Sequence, residues 1–324
     1  MSLTCSDVED DLVKPTLRFH DLQSESNWLN NAIAGFIVEE GYGYPVESVV
    51  ASTPRMQETL PAGEIDINLE GWQQNTAEWY DEEIDKKTIM NLGMIYEASS
   101  QVFVVPRWVA EEYGIRTVFD MKNHWELFTD SQDPSKGAFY NCIVGWRCAD
   151  INKVKLDAYG LTEYYNVVSP ASAAALDSAL AEPYKAHRPV FGYYWTPTAL
   201  MAVHDWYVLA EPLHSEECWN QVLRAAEDNS VATPAQACAY EMIPIDKLAH
   251  AGLRDKAPEV FAMLDKMMVG LEPLNATVAW AVQNAVEDWN LAAVHYLQNN
   301  EVRWRTWVTP DAYDKIRAAL KTSR

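Results

Sequence analysis

Thirteen Trp and sixteen Tyr against eight Phe make an unusual aromatic balance. Trp and Tyr pair a broad apolar face with a polar edge and are favoured where something is bound. Four indoles stand beside predicted strands. Trp72 follows Glu64 to Glu70, Trp195 follows Val190 to Tyr194, Trp146 lies just beyond a strand ending at Val144, and Trp28 begins the helix after the first strand. Taken singly, each reads as a packing residue. Several indole faces converging on one point, with few dedicated acids or bases, make a box for a cation that cannot donate strong hydrogen bonds, such as a quaternary ammonium; a carbohydrate platform is the competing reading. At roughly 0.5 to 2 kcal/mol per ring, three or four rings give a few kcal/mol. Micromolar binding takes about 8 kcal/mol, so a second anchor is required.

Cys142-Ile143-Val144-Gly145-Trp146-Arg147-Cys148 offers one, since two Cys flank a Gly-Trp-Arg turn. A disulfide across so short a loop gives roughly 2 kcal/mol, and its value is rigidity. The turn's backbone N–H groups can cradle a carboxylate, with Arg147 adding a charged donor. Equally, Cys142 and Cys148 read as buried thiols and Arg147 as a solvated charge. The other cysteines are Cys5, Cys218 and Cys238; no CxxC pair and no Cys/His cluster has zinc spacing. His204 to His214 spans an acidic loop and lacks the i, i+4 spacing of a helical metal pair. Neither a Ser/His/Asp signature nor a phosphate loop is present, so no metal, cofactor or catalytic residue is expected.

These residues need elements to position them. In open α/β sheets ligands sit beyond the carboxyl ends of strands. Residues 16–100 read as strand and helix in alternation, with strands at Thr16 to His20, Pro45 to Ala51, Ile65 to Leu69 and Lys86 to Tyr96, and helices at Ser26 to Glu40 and Pro54 to Leu60. After Val102 to Pro106 the pattern restarts, with a helix from Arg107, strands near Phe139 to Val144, Tyr164 to Val168 and Pro189 to Tyr194, and an Ala-rich helix from Ser172 to Tyr184. From about Glu241 the chain reads as helical, including Pro258 to Met268, Ala276 to Asn284 and Val286 to Gln298, returning to cover the first unit. The expectation is an α/β protein of mostly parallel sheets flanked by helices. At 324 residues, two domains are expected.

Hydrophobic residues at 48% and charged residues at 22% exclude wholesale disorder. The formal charge of -22 repels nucleic acid and anionic membranes and leaves cationic or zwitterionic small molecules as partners. No apolar run approaches the roughly 20 residues of a membrane span. The start, Met1-Ser2-Leu3 with an acidic stretch to Asp11, lacks the pattern of a signal peptide. On that reading the protein is cytosolic or its leader has been replaced.

The chain resembles the substrate-binding proteins of glycine betaine/choline/proline-type ABC transporters. The residues that carry the resemblance are Gly63-Glu64-Ile65-Asp66-Ile67-Asn68-Leu69-Glu70-Gly71-Trp72, Val104-Val105-Pro106, Gly145-Trp146-Arg147-Cys148, Gly192-Tyr193-Tyr194-Trp195-Thr196-Pro197, Leu209-Ala210-Glu211-Pro212 and the late Trp304 and Trp307. It covers roughly residues 16–310, and Tyr-Tyr-Trp-Thr-Pro is its most specific part. The resemblance implies a two-lobe type II periplasmic binding protein fold with the cleft between lobes. The lobes are expected at 1–102 plus 240–324 and at 103–239, with hinges near Val102 and Cys238 to Ile243.

By the same resemblance, Trp72, Trp146 and Trp195 look like a box for a trimethylammonium group, and the backbone N–H groups of Arg147 and Cys148 like its carboxylate site. Cys142 and Cys148 match a disulfide of some members. Trp28 is similar in position to an additional box residue of choline binders, which have Asp where this chain has Asn30; Thr76 stands where some members have His, and Arg147 replaces a more usual Gly. Glu97 is a candidate to meet an N-oxide proton or a hydroxyl, or else a solvated acid at a crossover.

The resulting expectation is an extracytoplasmic receptor, periplasmic and monomeric, binding glycine betaine and serving an ABC permease. Choline, trimethylamine N-oxide and dimethylsulfoniopropionate are alternative ligands, and an enzyme acting on a sugar or onium compound is the alternative of another class. Trp195→Ala is expected to weaken onium binding sharply and spare the fold, as a change in an exposed cleft wall.

Overall fold

The structure is a computed structural model and describes residues 14–323; Cys5 and the acidic run Glu9 to Asp11 lie outside them. Its strands are β1 (Leu17–Asp21), β2 (Val46–Val50), β3 (Ile67–Gly71), β4 (Ile89–Pro106), β5 (Gly137–Tyr140), β6 (Tyr165–Val168), β7 (Gly192–Thr196), β8 (Trp206–Val208) and β9 (Ile243–His250). Between them run helices α1 (Glu25–Phe36), α2 (Thr53–Thr59), α3 (Ala77–Lys86), α4 (Arg107–Tyr113), α5 (Arg147–Ala158), α6 (Ala173–Lys185), α7 (Ala199–Val203) and α8 (Glu216–Glu227). Six more helices fill Leu253 to Thr322.

The strands order as β2-β1-β3-β9-β4, and β4 carries on into β7-β5-β6 with β8 along its other side. β1 pairs parallel with β2 and β3, and β5 pairs parallel with β6 and β7. The antiparallel pairings all involve β4 or β9. The architecture is therefore mixed rather than mostly parallel. The predicted restart after Val102 is not a break either, because β4 is one strand of 18 residues. Its first half pairs with β9 through Ser99, and its second half pairs with β7 from Ser100 and with β8 from Val104.

β9 corrects the expectation of a wholly helical end. Ile243–His250 forms a buried strand between β3 and β4. Its charged Lys247 is tolerated because the ammonium donates to the carbonyls of Met94 and Met267, each at 2.7 Å.

The apolar core falls into two main clusters and a small one. One gathers residues from Phe103 to Tyr240, and the other joins residues 17–96 to Ala199 and residues 243–320. α1 shows how sequence sets this up. Leu29, Ile33 and Ala34 bury one helical stripe against the second of these clusters, and at the helix's start Ser26, Asn27 and Asn30 are buried as well. Polar residues in a buried stripe require partners, and this end of α1 faces the site.

Candidate functional site

A cavity lies where the end of β3, the middle of β4, the end of β7 and the start of α5 meet. It brings together Trp72, Trp146, Trp195, Arg147 and Cys148, five of the eight expected site residues. Trp72 follows Gly71, where a side chain would press a Cβ to 2.9 Å from Leu248, so the strand can pass close to β9 only as glycine. The indole touches both main core clusters.

The turn after Trp72 is held firmly. Asn75 and Gln101 exchange amide hydrogen bonds at 3.2 and 3.0 Å, and the Tyr193 hydroxyl donates to Gln101 Oε1 at 2.8 Å. Gln74 brackets the backbone of Glu241 with two bonds of 3.1 Å, while Trp219 Nε1 donates to the Gln74 carbonyl at 2.8 Å. Trp219 in turn sits beside Cys218, which is disulfide-bonded to Cys238.

Trp146 and Trp195 meet edge to face, with ring centroids 5.2 Å apart at 68°. Tyr193 lies nearly parallel to Trp195 at 6.2 Å. Trp146 is delivered by Gly145, whose φ of +89° suits glycine, and by the Cys142–Cys148 disulfide that closes the loop. Gly145 O accepts from Thr53 N at 3.1 Å, and Thr53 Oγ1 accepts from Arg147 N at 3.4 Å, so the start of α2 touches this turn. Trp195 is only 4% exposed and belongs to the core. It is no exposed cleft wall, and Trp195→Ala would leave a hole in the core as well as in the cavity.

Arg147 and Cys148 open α5, a helix of 12 residues with no side-chain cap at its start. Its first N–H groups and dipole give that end a partial positive charge, which suits an anionic group. The Arg147 side chain points elsewhere: Nη2 pairs with Glu227 at 2.8 Å and Nη1 donates to the Ala226 carbonyl at 3.4 Å.

Three expected residues do not line the cavity. Trp28 Nε1 donates to Asp21 at 2.9 Å and packs 6.0 Å from Trp289. Asn30 lies behind the wall and donates to Glu70 at 3.0 Å. Glu97 is exposed and accepts from the backbone of Leu271 at 2.9 Å, at the start of another helix.

The sequence reading passed over Glu70, which lines the cavity and is 2% exposed. Around its carboxyl stand the Asn30 amide, the Trp72 indole and the hydroxyls of Ser26 and Tyr96. Burial pushes this carboxyl up to about 7 against the pull of those donors. His20 also lines the cavity; its Nε2 lies 3.0 Å from the Ala51 carbonyl, and burial holds it below the usual imidazole range. Among the other lining residues are Gln101, Tyr193 and a fourth indole, Trp79, whose Nε1 donates to the Gln57 carbonyl at 3.0 Å. The signal available for Glu70 was an acid next to Trp72 at the end of a buried strand. Among the described residues no group of three or more His, Cys, Asp or Glu could hold a metal ion.

Two sheets sharing one long strand, with an indole-lined cavity where they meet, define a solute-binding protein. Residues 15–299 match the OpuAC family model, described as the substrate binding domain of ABC-type glycine betaine transport systems, and the chain belongs to that family. The family is one of substrate-binding domains of transport systems.

Among curated relatives, the glycine betaine/proline betaine-binding periplasmic protein of Escherichia coli (strain K12) is 26% identical over 43% of this chain and 42% of its own length. The trimethylamine N-oxide-binding protein of Pelagibacter ubique (strain HTCC1062) is 24% identical over 53% of this chain and 57% of its own length. The chain thus spans about half the length of the curated relatives it matches.

Among solved structures, a glycine betaine, L-proline ABC transporter binding protein from Borrelia burgdorferi superposes with a TM-score of 0.72 at 17% identity, covering 93% of this chain and 99% of that one. A choline-binding protein in complex with choline gives 0.72 at 20% identity, over 94% and 98%. The lactococcal protein closed on glycine betaine gives 0.70 at 16%, over 91% and 100%. The fold is the type II periplasmic binding protein fold.

Proposed function

We propose that this chain is an extracytoplasmic receptor that closes over glycine betaine, or a closely related methylated onium compound, and delivers it to an ABC permease. The observation that carries the reading is the cavity itself. Four indoles, Trp72, Trp79, Trp146 and Trp195, from three separate segments share its walls with one buried carboxyl and a helix start that has no side-chain cap. The indole faces suit a methylated cation. The start of α5 suits a carboxylate. A zwitterion satisfies both at once, with its ammonium among the rings and toward Glu70 and its carboxylate at Cys148 N and at Arg147 N, which would give up its long bond to Thr53 Oγ1. Choline lacks the second half of that match. The family and the betaine and N-oxide binders among the relatives support this class of ligand.

In this reading residues 1–102 and 240–324 form one lobe and 103–239 the other, in keeping with the two main core clusters. Trp72 rides on the first lobe, and Trp146 and Trp195 on the second. Ligand favours the closed state because only that state touches it from both sides. The permease would read the closed surface.

Isothermal titration calorimetry with glycine betaine, choline and trimethylamine N-oxide tests this. Saturable glycine betaine binding at micromolar or better, with choline weaker, is the expected result. Choline binding more tightly than glycine betaine would overturn the carboxylate site at α5, and no binding of any of the three would overturn the onium reading.

A further inference from the structure

The cavity contains one carboxyl group, Glu70, and the proposed ligand carries a positive head. The Asn30 amide donates to that carboxyl at 3.0 Å, and the Trp72 indole N–H and the Ser26 and Tyr96 hydroxyls stand around it. Neither hydroxyl has a hydrogen-bond partner, and each could turn to donate to the carboxylate. Such a shell suits an ionised acceptor, because a carboxylate can only accept. The same hydroxyls can accept from the protonated acid, so the shell serves Glu70 in both states.

We infer that Glu70 is the counter-ion of the onium head: it ionises when the ligand enters, so that binding releases a proton and selects a cationic head over a neutral one of the same shape. This rests on the proposed onium ligand and adds a specificity determinant to it. The free protein holds the acid near neutrality, since its burial pushes it up to about 7. A cation brought beside it lowers that value. Affinity then rises with pH while free Glu70 is protonated and levels off once it is ionised without ligand.

The other titratable and charged groups nearby have separate employments. On β1, His20 faces the same cavity and is bonded to the Ala51 carbonyl. On β4, Tyr96 is held far above neutrality by burial and by Glu70. On β9, Asp246 stands opposite Gly71 and accepts from Asn91 at 2.7 Å, while Lys247 is tied to two carbonyls. Across the cavity, Arg147 is paired with Glu227. α1 contributes only the neutral Ser26 and Asn30 to the carboxyl's surroundings.

Calorimetry at several pH values, in buffers of different ionisation enthalpy, reads the linkage directly. For glycine betaine the dissociation constant should tighten about tenfold between pH 5.5 and 8, with close to one proton released near pH 6. The isostere with an uncharged head, 3,3-dimethylbutyrate, should bind far more weakly. Glu70→Gln should flatten the pH profile, abolish the proton release and narrow the preference over the isostere about tenfold.

A wild-type protein that binds glycine betaine equally at all these pH values, or takes up a proton on binding, overturns the inference while leaving the onium reading intact. The same pH profile in Glu70→Gln would assign the proton to another group, His20 first. Proton counting on the wild type needs no variant, so a Glu70→Gln protein that failed to fold would not shelter the inference. Absence of any onium binding at every pH would instead remove the proposed function itself.

Discussion

The cavity has two walls, and they differ in how their polar groups are satisfied. On the β3 side, Glu70, Ser26, Asn30 and Tyr96 form a buried polar cluster in which Asn30 Oδ1 has no partner, and neighbouring His20 Nδ1 and Asn27 Nδ2 have none either. On the α5 and β7 side the indoles of Trp146 and Trp195 pack edge to face, a disulfide closes the loop, and Arg147 is occupied by Glu227. One wall stores unspent hydrogen-bonding capacity at a real cost to stability. The other is finished as a shape. The contrast assigns chemistry to the first wall and geometry to the second, and each assignment can be attacked.

The strongest attack falls on the shaped wall. Trp195→Phe keeps an aromatic ring in the core but removes the larger indole face, and onium binding should weaken about 10-fold or more with the fold retained by circular dichroism. Undiminished affinity would remove Trp195 from the box. Replacing both Cys142 and Cys148 with Ser should cost about 2 kcal/mol in chemical denaturation, because the closed loop is short. If glycine betaine affinity fell while affinity for a ligand without a carboxylate held, the loop's role in presenting α5 would be sharpened.

A smaller effect is expected at the edge between the sheets. Glu25 of α1 accepts from Ala199 N at 3.4 Å, and Asp177 of α6 accepts from the Tyr194 hydroxyl. Burial, then the charge of Glu25, raises Asp177 from 3.8 to about 7. Between those values the folded protein holds more proton than the unfolded chain, so this group's contribution to stability falls as pH rises. Asp177→Asn should therefore stabilise by about 1 kcal/mol at pH 8, after discounting for solvent screening, and by nothing near pH 3.5. Thermal melts at both pH values decide it. Smallest of all, Arg147→Ala should change glycine betaine affinity less than about threefold, since the side chain is engaged elsewhere and the backbone N–H remains. A larger loss would mean that the guanidinium leaves Glu227 for the ligand.

The sequence was most informative where a residue type and a strand end coincided. Trp72 stands just past β3, Trp195 near the end of β7 and Trp146 at the turn into α5, and all three line the cavity. Trp28 carried the same aromatic signal, but on a helix face beside Asp21 and Trp289, which no local pattern distinguishes from the cavity side. Glu97 and Glu70 are both acids beside an aromatic residue. One chain position ends in solvent and the other in the core, and burial that depends on α1 crossing β3 is a tertiary fact. β9 was hidden for a related reason. Pro244, Asp246 and Lys247 break the apolar alternation expected of a central strand, and Lys247 is accepted there only because two distant carbonyls receive it.

The place of β9 in the strand order has a consequence for the birth of the molecule. β3 and β4 lie on either side of it, and β9 is made about 140 residues after β4 ends. A ribosome delivering this chain from the amino end exposes two unpaired strand edges until residue 250 has emerged. The first core cluster, Phe103 to Tyr240, can collapse in the meantime, since most of its residues come from the intervening stretch. High contact order makes the last step slow. Premature termination anywhere before β9 would leave a sheet with a missing middle, a sticky fragment rather than a smaller receptor.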